Sequence, residues 1–338
     1  MISSTSMSRT NRAISVAALM TIAVAAVMPC VQAQDTAPPQ SPAQLVDSLH
    51  SAFGDHHSRA VHAKGTLLEG HFTPSPQART LTMAGVFSAG AVPVTVRFSD
   101  FTGIPEIPDN INDANPRGLA IKLRPATGAG MDVVTHSFNG FPVATGDQFG
   151  ELMHAIGDSG PDAKKPTALD AFLATHPIAK TFLTTQKPPP VSYATLSYFG
   201  VNSFKFTDAA GKSKFVRYRF VPVAGIHVLS DAELKTKGPD YLQQEIRSRV
   251  KAGPIAFDWY AQIAAPGDVI DDPSVAWPES RKQIKLGTFS IDQVIADQKE
   301  ADHSTLFLPG NVPDGIAPAD PMIAIRHAAY PISFGHRQ

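Results

Sequence analysis

Short runs in which apolar and polar residues alternate dominate the chain, and they predict strands more often than helices. The runs lie at residues 59–74, 79–87, 93–99, 118–124, 132–138, 203–207, 214–222, 255–263 and 285–289. Loops rich in Gly, Pro, Asn and Asp separate them, and residues 208–212 form a good hairpin turn. This spacing is typical of an antiparallel barrel or sandwich.

A smaller set of segments shows the helical period. Residues 42–53 place Leu45, Leu49 and Phe53 at a spacing of four, which predicts a short amphipathic helix. The other predicted helices are 147–156, 167–182 with a break near Pro177, 230–237, 239–251 and a last helix from about Pro321 with Asp320 as its cap. No repeat and no domain boundary is visible, so we expect residues 34–338 to form a single domain.

Charge and composition narrow the classes of partner. The 338 residues carry a formal net charge of −1, which gives no electrostatic case for a nucleic-acid partner. Residues 1–33 have the features of a signal peptide, with Arg9 and Arg12 before an apolar stretch and small residues up to Ala33. We expect cleavage after Ala33, export to the periplasm and no membrane association afterwards. Without Cys30 the mature chain then has no disulfide, thiolate metal site or cysteine nucleophile.

Two polar pairs in the first half stand out from the strand pattern. Arg59 and His62 point to opposite faces of a strictly extended chain, so they serve one ligand only if the backbone bends between them. Arg97 and Ser99 share one face of the strand 93–99. An arginine on the inward face of a barrel is costly unless it meets an anion, which could equally be a nearby acidic side chain.

Further candidates lie later in the chain. Arg326 and Tyr330 are four residues apart, hence on one face of the last helix, and ordinary surface pairing is the alternative on spacing alone. A nearby cation favours the ionised form of a phenol, which is a hard ligand suited to ferric iron. Asn139 lies in a turn, from which its amide could orient a small polar ligand. His71 and His136 receive no role.

Several of these segments together resemble the haem catalases, in the same order along the chain. The matching segments are 59–65 (RAVHAKG, family RVVHAKG), 96–99 (VRFS in both), 115–120 (NPRGLA, family DPRGFA), 308–316 (LPGNVPDGI, family FDPSNMPPGI) and 326–331 (the Arg, Tyr and Pro of family RLFAYPD). In addition, Asn139 lies three residues before Pro142, which is the offset of the family's distal asparagine. The combination is far more specific than any one segment.

The resemblance implies a fold and a cofactor. The fold is α+β, an antiparallel eight-stranded β-barrel of the catalase type with flanking helices. The cofactor is haem b, iron protoporphyrin IX. Tyr330 is implied as the iron ligand, held as a phenolate by Arg326. On the opposite side, His62 is implied as the acid/base, Asn139 as its partner and Ser99 as the group that orients its ring.

The resemblance also implies residues that contact the edge and face of the haem. Arg59, Arg97 and Arg337 correspond to the arginines that bind the propionates, and Phe149 is implied to pack on the macrocycle. Asn202 departs from the family, because it stands where the family motif GSHTFK has histidine, and we expect this to remove one link of the network around Arg326. The chain ends eight residues after Tyr330, so we expect the family's C-terminal helical region, and most of its long N-terminal arm, to be missing.

A shortened, exported chain of this kind resembles the catalase-related peroxidases. The implied activity is reduction of hydrogen peroxide or organic peroxides with a small organic electron donor, by a monomer or small homo-oligomer. A true catalase and a periplasmic haem-binding or storage barrel with little turnover are the alternatives. An enzyme that converts fatty-acid hydroperoxides on the same fold is a third.

Overall fold

Residues 39–338 are described by a computed structural model, and the predicted signal peptide lies outside them. The helices are α1 (Pro42–Phe53), α2 (Gly146–Gly157), α3 (Ala168–Thr175), α4 (Pro177–Thr184), α5 (Asp231–Leu234), α6 (Tyr241–Ala252), α7 (Gln298–Ser304) and α8 (Met322–Gly335). The strands are β1 (Gly65–Pro74), β2 (Val92–Ser99), β3 (Gly118–Leu123), β4 (Met131–His136), β5 (Tyr198–Thr207), β6 (Ser213–Pro222), β7 (Ile255–Ile263), β8 (Gln283–Val294) and β9 (Ile316–Pro318).

Strands β1 to β8 form a closed antiparallel barrel. Their order is β4-β3-β2-β1-β8-β7-β6-β5, and the pairing of His136 on β4 with Phe199 on β5 closes the ring. Strand β9 pairs with the free part of β5. The predicted eight-stranded barrel with flanking helices is therefore confirmed, and the sandwich is excluded.

The barrel interior is filled by aromatic side chains. Phe72 packs against Trp259 and Phe289 with ring centroids 5.4 and 4.7 Å apart. On β2 the inward side chains are apolar, whereas Arg97 and Ser99 point out of the barrel towards the helices. The prediction that Arg97 faces the barrel interior was thus wrong. Alternation of the strand sends Val96 and Phe98 inward, and Arg97 lies in a second layer under α1, α2 and α8.

Most predicted elements are found, and the departures have local causes. The predicted strand 79–87 is wrong: this stretch holds 3₁₀ turns, and Phe87 packs into the end of the barrel against Phe72 and Trp259. Helix α6 begins at Tyr241 and leaves out Pro239, whose carbonyl accepts hydrogen bonds from Lys64 and from the main chain of Asp109. Strand β1 begins at Gly65, six residues later than predicted, while α7 and β9 were not predicted.

Candidate active site

A cavity lies between the outer wall of the barrel and the helices α1, α2 and α8. Its lining includes His62 and Arg59 before β1, Arg97 and Ser99 on β2, and residues of α8 such as Arg326, Tyr330 and Arg337. The cavity has a volume of about 190 Å³. A single water needs a cavity of only about 10–15 Å³, so there is room for a much larger ligand.

The backbone bends sharply at His62, as a shared ligand for Arg59 and His62 requires. His62 has a φ of 59°, in the left-handed region that a residue other than glycine occupies only at a cost. The bend is held by main-chain hydrogen bonds, from His62 N–H to Phe101 O at 2.8 Å and from Ala63 N–H to Thr102 O at 2.9 Å. Arg97 adds a hydrogen bond from Nη1 to the His62 carbonyl at 2.8 Å.

Hydrogen bonds at one nitrogen fix the state of the His62 ring. Nδ1 lies 2.9 Å from the Asp100 carbonyl and 3.1 Å from Ser99 Oγ. A carbonyl oxygen can only accept, so Nδ1 carries the ring proton and Nε2 keeps its lone pair. Burial, together with the charge of Arg97, lowers the pKa of His62 to about 4. The ring is therefore neutral near pH 7, with a free proton acceptor at Nε2.

Gly118 provides the space that the His62 ring occupies. It pairs with Ser99 across β2 and β3, and a Cβ atom there would lie 2.8 Å from His62 Nδ1 and closer still to Ser99 Oγ. Any other residue would push the ring or the strand away. Gly118 was part of a matched motif but was given no role from the sequence.

Three arginines gather at one edge of the cavity around Asp302. Arg97 Nε donates to Asp302 Oδ1 at 2.7 Å and Arg59 Nε at 3.2 Å. Arg337 donates to the carbonyls of Asp302 and Thr305, each at 2.8 Å. Asp302 was missed because α7 was not predicted; the need of an arginine cluster for an anion was the available signal.

The charge at this edge is not balanced within the cluster. Three guanidinium groups face one carboxylate, which leaves an excess of two positive charges. Burial opposes ionisation of Asp302, but the charges of Arg97 and Arg59 outweigh it and lower its pKa to about 2. Burial and the neighbouring Arg97 lower the pKa of Arg59 to about 9. The Nε atom of Arg337 is buried and has no hydrogen-bond partner within residues 39–338.

Tyr330 lies on α8 at the other side of the cavity. Its hydroxyl accepts hydrogen bonds from Arg326 Nη2 at 2.6 Å and Nε at 3.2 Å. Arg326 Nη1 in turn donates to Asn202 Oδ1 at 2.5 Å, and Asn202 Nδ2 donates to Asp320 Oδ2 at 2.7 Å. A chain of side chains thus runs from Tyr330 to a buried carboxylate, and Asn202 is a link in it.

Not every predicted site residue lies in this cavity. Phe149 does, stacked on Phe141 with centroids 5.6 Å apart. Asn139 lines a neighbouring pocket instead, with Phe141 and Phe182 shared between the two. The histidine on the barrel wall of the cavity that His62 lines is His136, to which the sequence assigned no role.

Comparison with known proteins gives the family. The family model for catalase matches residues 45–338. This chain therefore belongs to the catalase family. It is 32% identical over 303 residues to a catalase-related peroxidase of Synechococcus elongatus, covering 88% of each chain. It is 34% identical to a catalase-related peroxidase of Mycolicibacterium paratuberculosis, over 87% of this chain and 93% of that one.

Solved structures agree with this fold. A fungal catalase superposes with a TM-score of 0.74 at 20% identity, and catalase A from Saccharomyces cerevisiae with 0.73 at 19%. Each superposition covers 83% of this chain, which spans 59% of the length of the fungal catalase and 61% of the length of catalase A. No helix within residues 39–338 is long and apolar enough to cross a membrane.

The catalase family implies a haem cofactor, and the residues of the cavity fit one. The excess of two positive charges around Asp302, with an unpaired Arg337 Nε, suits a ligand with two carboxylates. Tyr330, backed by a guanidinium, is a suitable oxygen donor for ferric iron. The remaining lining is mainly apolar, as a porphyrin face requires.

Proposed function

We propose that this protein is a haem-dependent peroxidase. It reduces hydrogen peroxide or organic peroxides to water or an alcohol, and a small organic donor supplies the two electrons. Tyr330 would hold the iron of haem b, and Arg59, Arg97 and Arg337 its propionates. The observation that supports this most is that His62 and Tyr330, 268 residues apart in sequence, line one cavity.

The bound haem supplies the electron transfer, and the chain's own residues handle protons. His62 Nε2, which keeps its lone pair because Nδ1 is bonded to Asp100 O, takes a proton from one peroxide oxygen. It then returns that proton to the oxygen that leaves, so that water or an alcohol departs instead of an anion. Such transfer typically contributes about 10²–10⁴-fold to the rate. Ser99 and Gly118 keep the ring in place for both steps.

Arg326 positions Tyr330 on the opposite side of the cavity from His62. Its two hydrogen bonds to the Tyr330 hydroxyl orient the oxygen that would bind the iron. Asn202 and Asp320 hold the guanidinium in that position. The expectation that Asn202 removes a link around Arg326 was wrong, because its amide bonds both Arg326 and Asp320.

Relatives favour a peroxidase over a true catalase. The relatives named catalase-related peroxidase are 32% and 34% identical and are matched over 88% and 93% of their length. A relative named catalase, from Vibrio vulnificus, is 27% identical and is matched over 54% of its length. We further propose that residues 1–33 are removed on export and that the protein acts in the periplasm as a monomer or small homo-oligomer.

The test is to add hydrogen peroxide to the purified haem-loaded protein, with and without a dye as electron donor. Oxidation of the dye without release of oxygen is expected. Release of oxygen would identify a catalase, and neither product would identify a haem-binding or storage protein. Retention of residues 1–33 in protein isolated from its natural source would contradict the proposal of export.

The role of His62 is tested by His62→Ala. The variant should keep its haem spectrum but oxidise the dye about 10²–10⁴-fold more slowly. His71→Ala is the control, because His71 is a half-exposed histidine on β1, outside the cavity. Equal rates for both variants would contradict the assignment.

A further inference from the structure

His136 lies beside His62 on the wall of the barrel, although 74 residues separate them. Ser99, Gly118 and His136 form one row of directly paired residues across β2, β3 and β4. Side chains of directly paired residues lie on the same face of a sheet, about 4.5–5.5 Å apart. The His62 ring lies over Gly118, so His136 is the next side chain in the row.

Main-chain contacts also fix the state of the His136 ring. Its Nδ1 accepts a hydrogen bond from the N–H of Phe138 at 3.3 Å. A backbone N–H can only donate, so the ring proton of neutral His136 is on Nε2. Burial, with His62 and Arg326 as further causes, lowers the pKa of His136 to about 3, so the neutral form persists.

The Nε2–H group of His136 is buried and finds no acceptor within the described part of the chain. A buried donor without a partner costs about 1–3 kcal/mol, so such groups need an explanation. The rings around it are apolar, with Phe182 at 6.2 Å and Phe141 at 6.3 Å between centroids. His136 lines the cavity, so a ligand atom bound there could serve as the acceptor.

We infer that His136 donates a hydrogen bond to the peroxide bound beside His62, a role of partner to His62 for which the sequence suggested Asn139. The inference rests on the proposed function. His62 Nε2 accepts and returns a proton, whereas His136 Nε2–H donates a hydrogen bond and keeps its proton. Two neutral imidazoles of opposite polarity therefore face one substrate: one offers a lone pair and the other offers an N–H.

Fluoride binding to the haem-loaded protein tests this inference without turnover. Fluoride is a small anion that accepts hydrogen bonds, and its affinity can be read from the optical spectrum. His136→Leu should weaken fluoride binding about tenfold, the effect of losing one hydrogen bond, and should lower kcat/KM for hydrogen peroxide by a similar factor. His136→Gln keeps an N–H donor near Nε2 and should stay within about threefold of wild type on both measures.

Matched variants separate this role from the alternatives. His71→Leu removes a half-exposed histidine outside the cavity and is the control for the substitution itself. The inference is overturned if His136→Leu stays within twofold of wild type. It is also overturned if His136→Gln is as impaired as His136→Leu, because packing and not hydrogen bonding would then be the role. A loss with Asn139→Ala that His136→Leu does not show would restore the sequence-based assignment.

The two hypotheses fail in different ways. Fluoride binding that depends on His136, in a protein that oxidises no donor, would keep this inference and reject the peroxidase. A working peroxidase with unaltered His136→Leu would do the reverse. A measurement on the haem-free chain completes the test: ¹⁵N NMR of the His136 ring at pH 7 should show a neutral ring with the proton on Nε2. A protonated ring, or a proton on Nδ1, would overturn the inference.

Discussion

The two walls of the cavity hold their functional groups by different means. The His62 wall consists of the turn at residues 60–64 and the strands β2, β3 and β4, and the Tyr330 wall consists of α8 with Asn202 and Asp320. Main-chain hydrogen bonds at Phe101 and Thr102 hold the turn, and the Asp100 carbonyl holds the His62 ring. On the other wall, side chains hold Tyr330 through Arg326.

This difference suits what each wall would do in the proposed peroxidase. A proton acceptor works only in one position and one tautomer, and main-chain contacts in a barrel wall provide both. A metal ligand is held in place by the bond to the metal itself, and its second shell tunes and orients it. Changes beneath His62 should therefore alter proton handling, whereas changes at Tyr330 should alter cofactor binding.

The largest effect is expected from Tyr330→Phe, which removes the proposed iron ligand and leaves the ring packing. Haem affinity should fall by more than about 100-fold, since a ligand is lost and not merely a second-shell contact. Haem content of the purified variant and its absorption spectrum provide the measurement. Tyr260→Phe on β7 is the control, since that hydroxyl makes only a 3.4 Å contact to Asp258. A normal spectrum in Tyr330→Phe would break the distinction between the walls.

The second largest effect is a loss of stability in acid, which we expect to arise from His136 on the His62 wall. The pKa of buried His136 is about 3, below the ordinary value of about 6.5 for an unfolded chain. The unfolded state thus binds more protons below pH 6.5, so the contribution of this group is complete above that pH and is lost as the pH falls. Between pH 7 and pH 4 the loss is about 3 kcal/mol.

A difference measurement isolates this contribution. Burial and the adjacent Asp100 raise the pKa of Asp109 to about 7, which acts in the opposite direction over the same pH range. Wild type and His136→Leu both contain Asp109, so its contribution cancels when the two proteins are compared. The free energy of unfolding, from denaturant titrations at pH 7 and pH 4, should fall about 3 kcal/mol further in wild type than in the variant. Equal falls would show that His136 is not a buried neutral group.

Local patterns predicted the Tyr330 wall better than the His62 wall. Arg326 and Tyr330 are four apart on a helix, so their contact follows from helix geometry alone. Helix α1 and strand β7 likewise have the bounds that the hydrophobic pattern gives. The residues of the His62 wall come together only through the register of strands that are distant in sequence, and no single segment encodes that register.

His136 and Asn139 mark the limit of predicting site residues from the sequence. The resemblance assigned Asn139 by its offset from Pro142, but the structure places Asn139 in the neighbouring pocket and His136 opposite Gly118. Asp302 was missed for a related reason, because two of the three arginines around it, Arg97 and Arg59, lie 205 and 243 residues away in sequence. Only the pairing of strands and helices across the fold reveals these neighbours.

A smaller effect is expected from Gly118→Ala, which tests how tightly the His62 wall is packed. The added methyl group would overlap Ser99 Oγ and lie 2.8 Å from His62 Nδ1, so the ring must shift. A displaced catalytic group should lower dye oxidation about tenfold or more while haem content is retained. Gly211→Ala is not a suitable control because of its positive φ, whereas Gly85→Ala meets no atom within 4 Å. Unchanged turnover in Gly118→Ala would show that the His62 wall can rearrange to accommodate the methyl group.

The smallest effect compares alanine with glycine at the two functional residues themselves. His62 has a φ of 59°, a conformation that glycine adopts freely and alanine only with strain, so His62→Gly should be more stable than His62→Ala by about 1 kcal/mol. Tyr330 lies within helix α8, where glycine is about 1 kcal/mol worse than alanine. The difference in unfolding free energy between the two substitutions should therefore have opposite signs at the two sites. Thermal or denaturant unfolding of the four haem-free variants measures it, and the same sign at both sites would mean that the turn at His62 relaxes once the imidazole is removed.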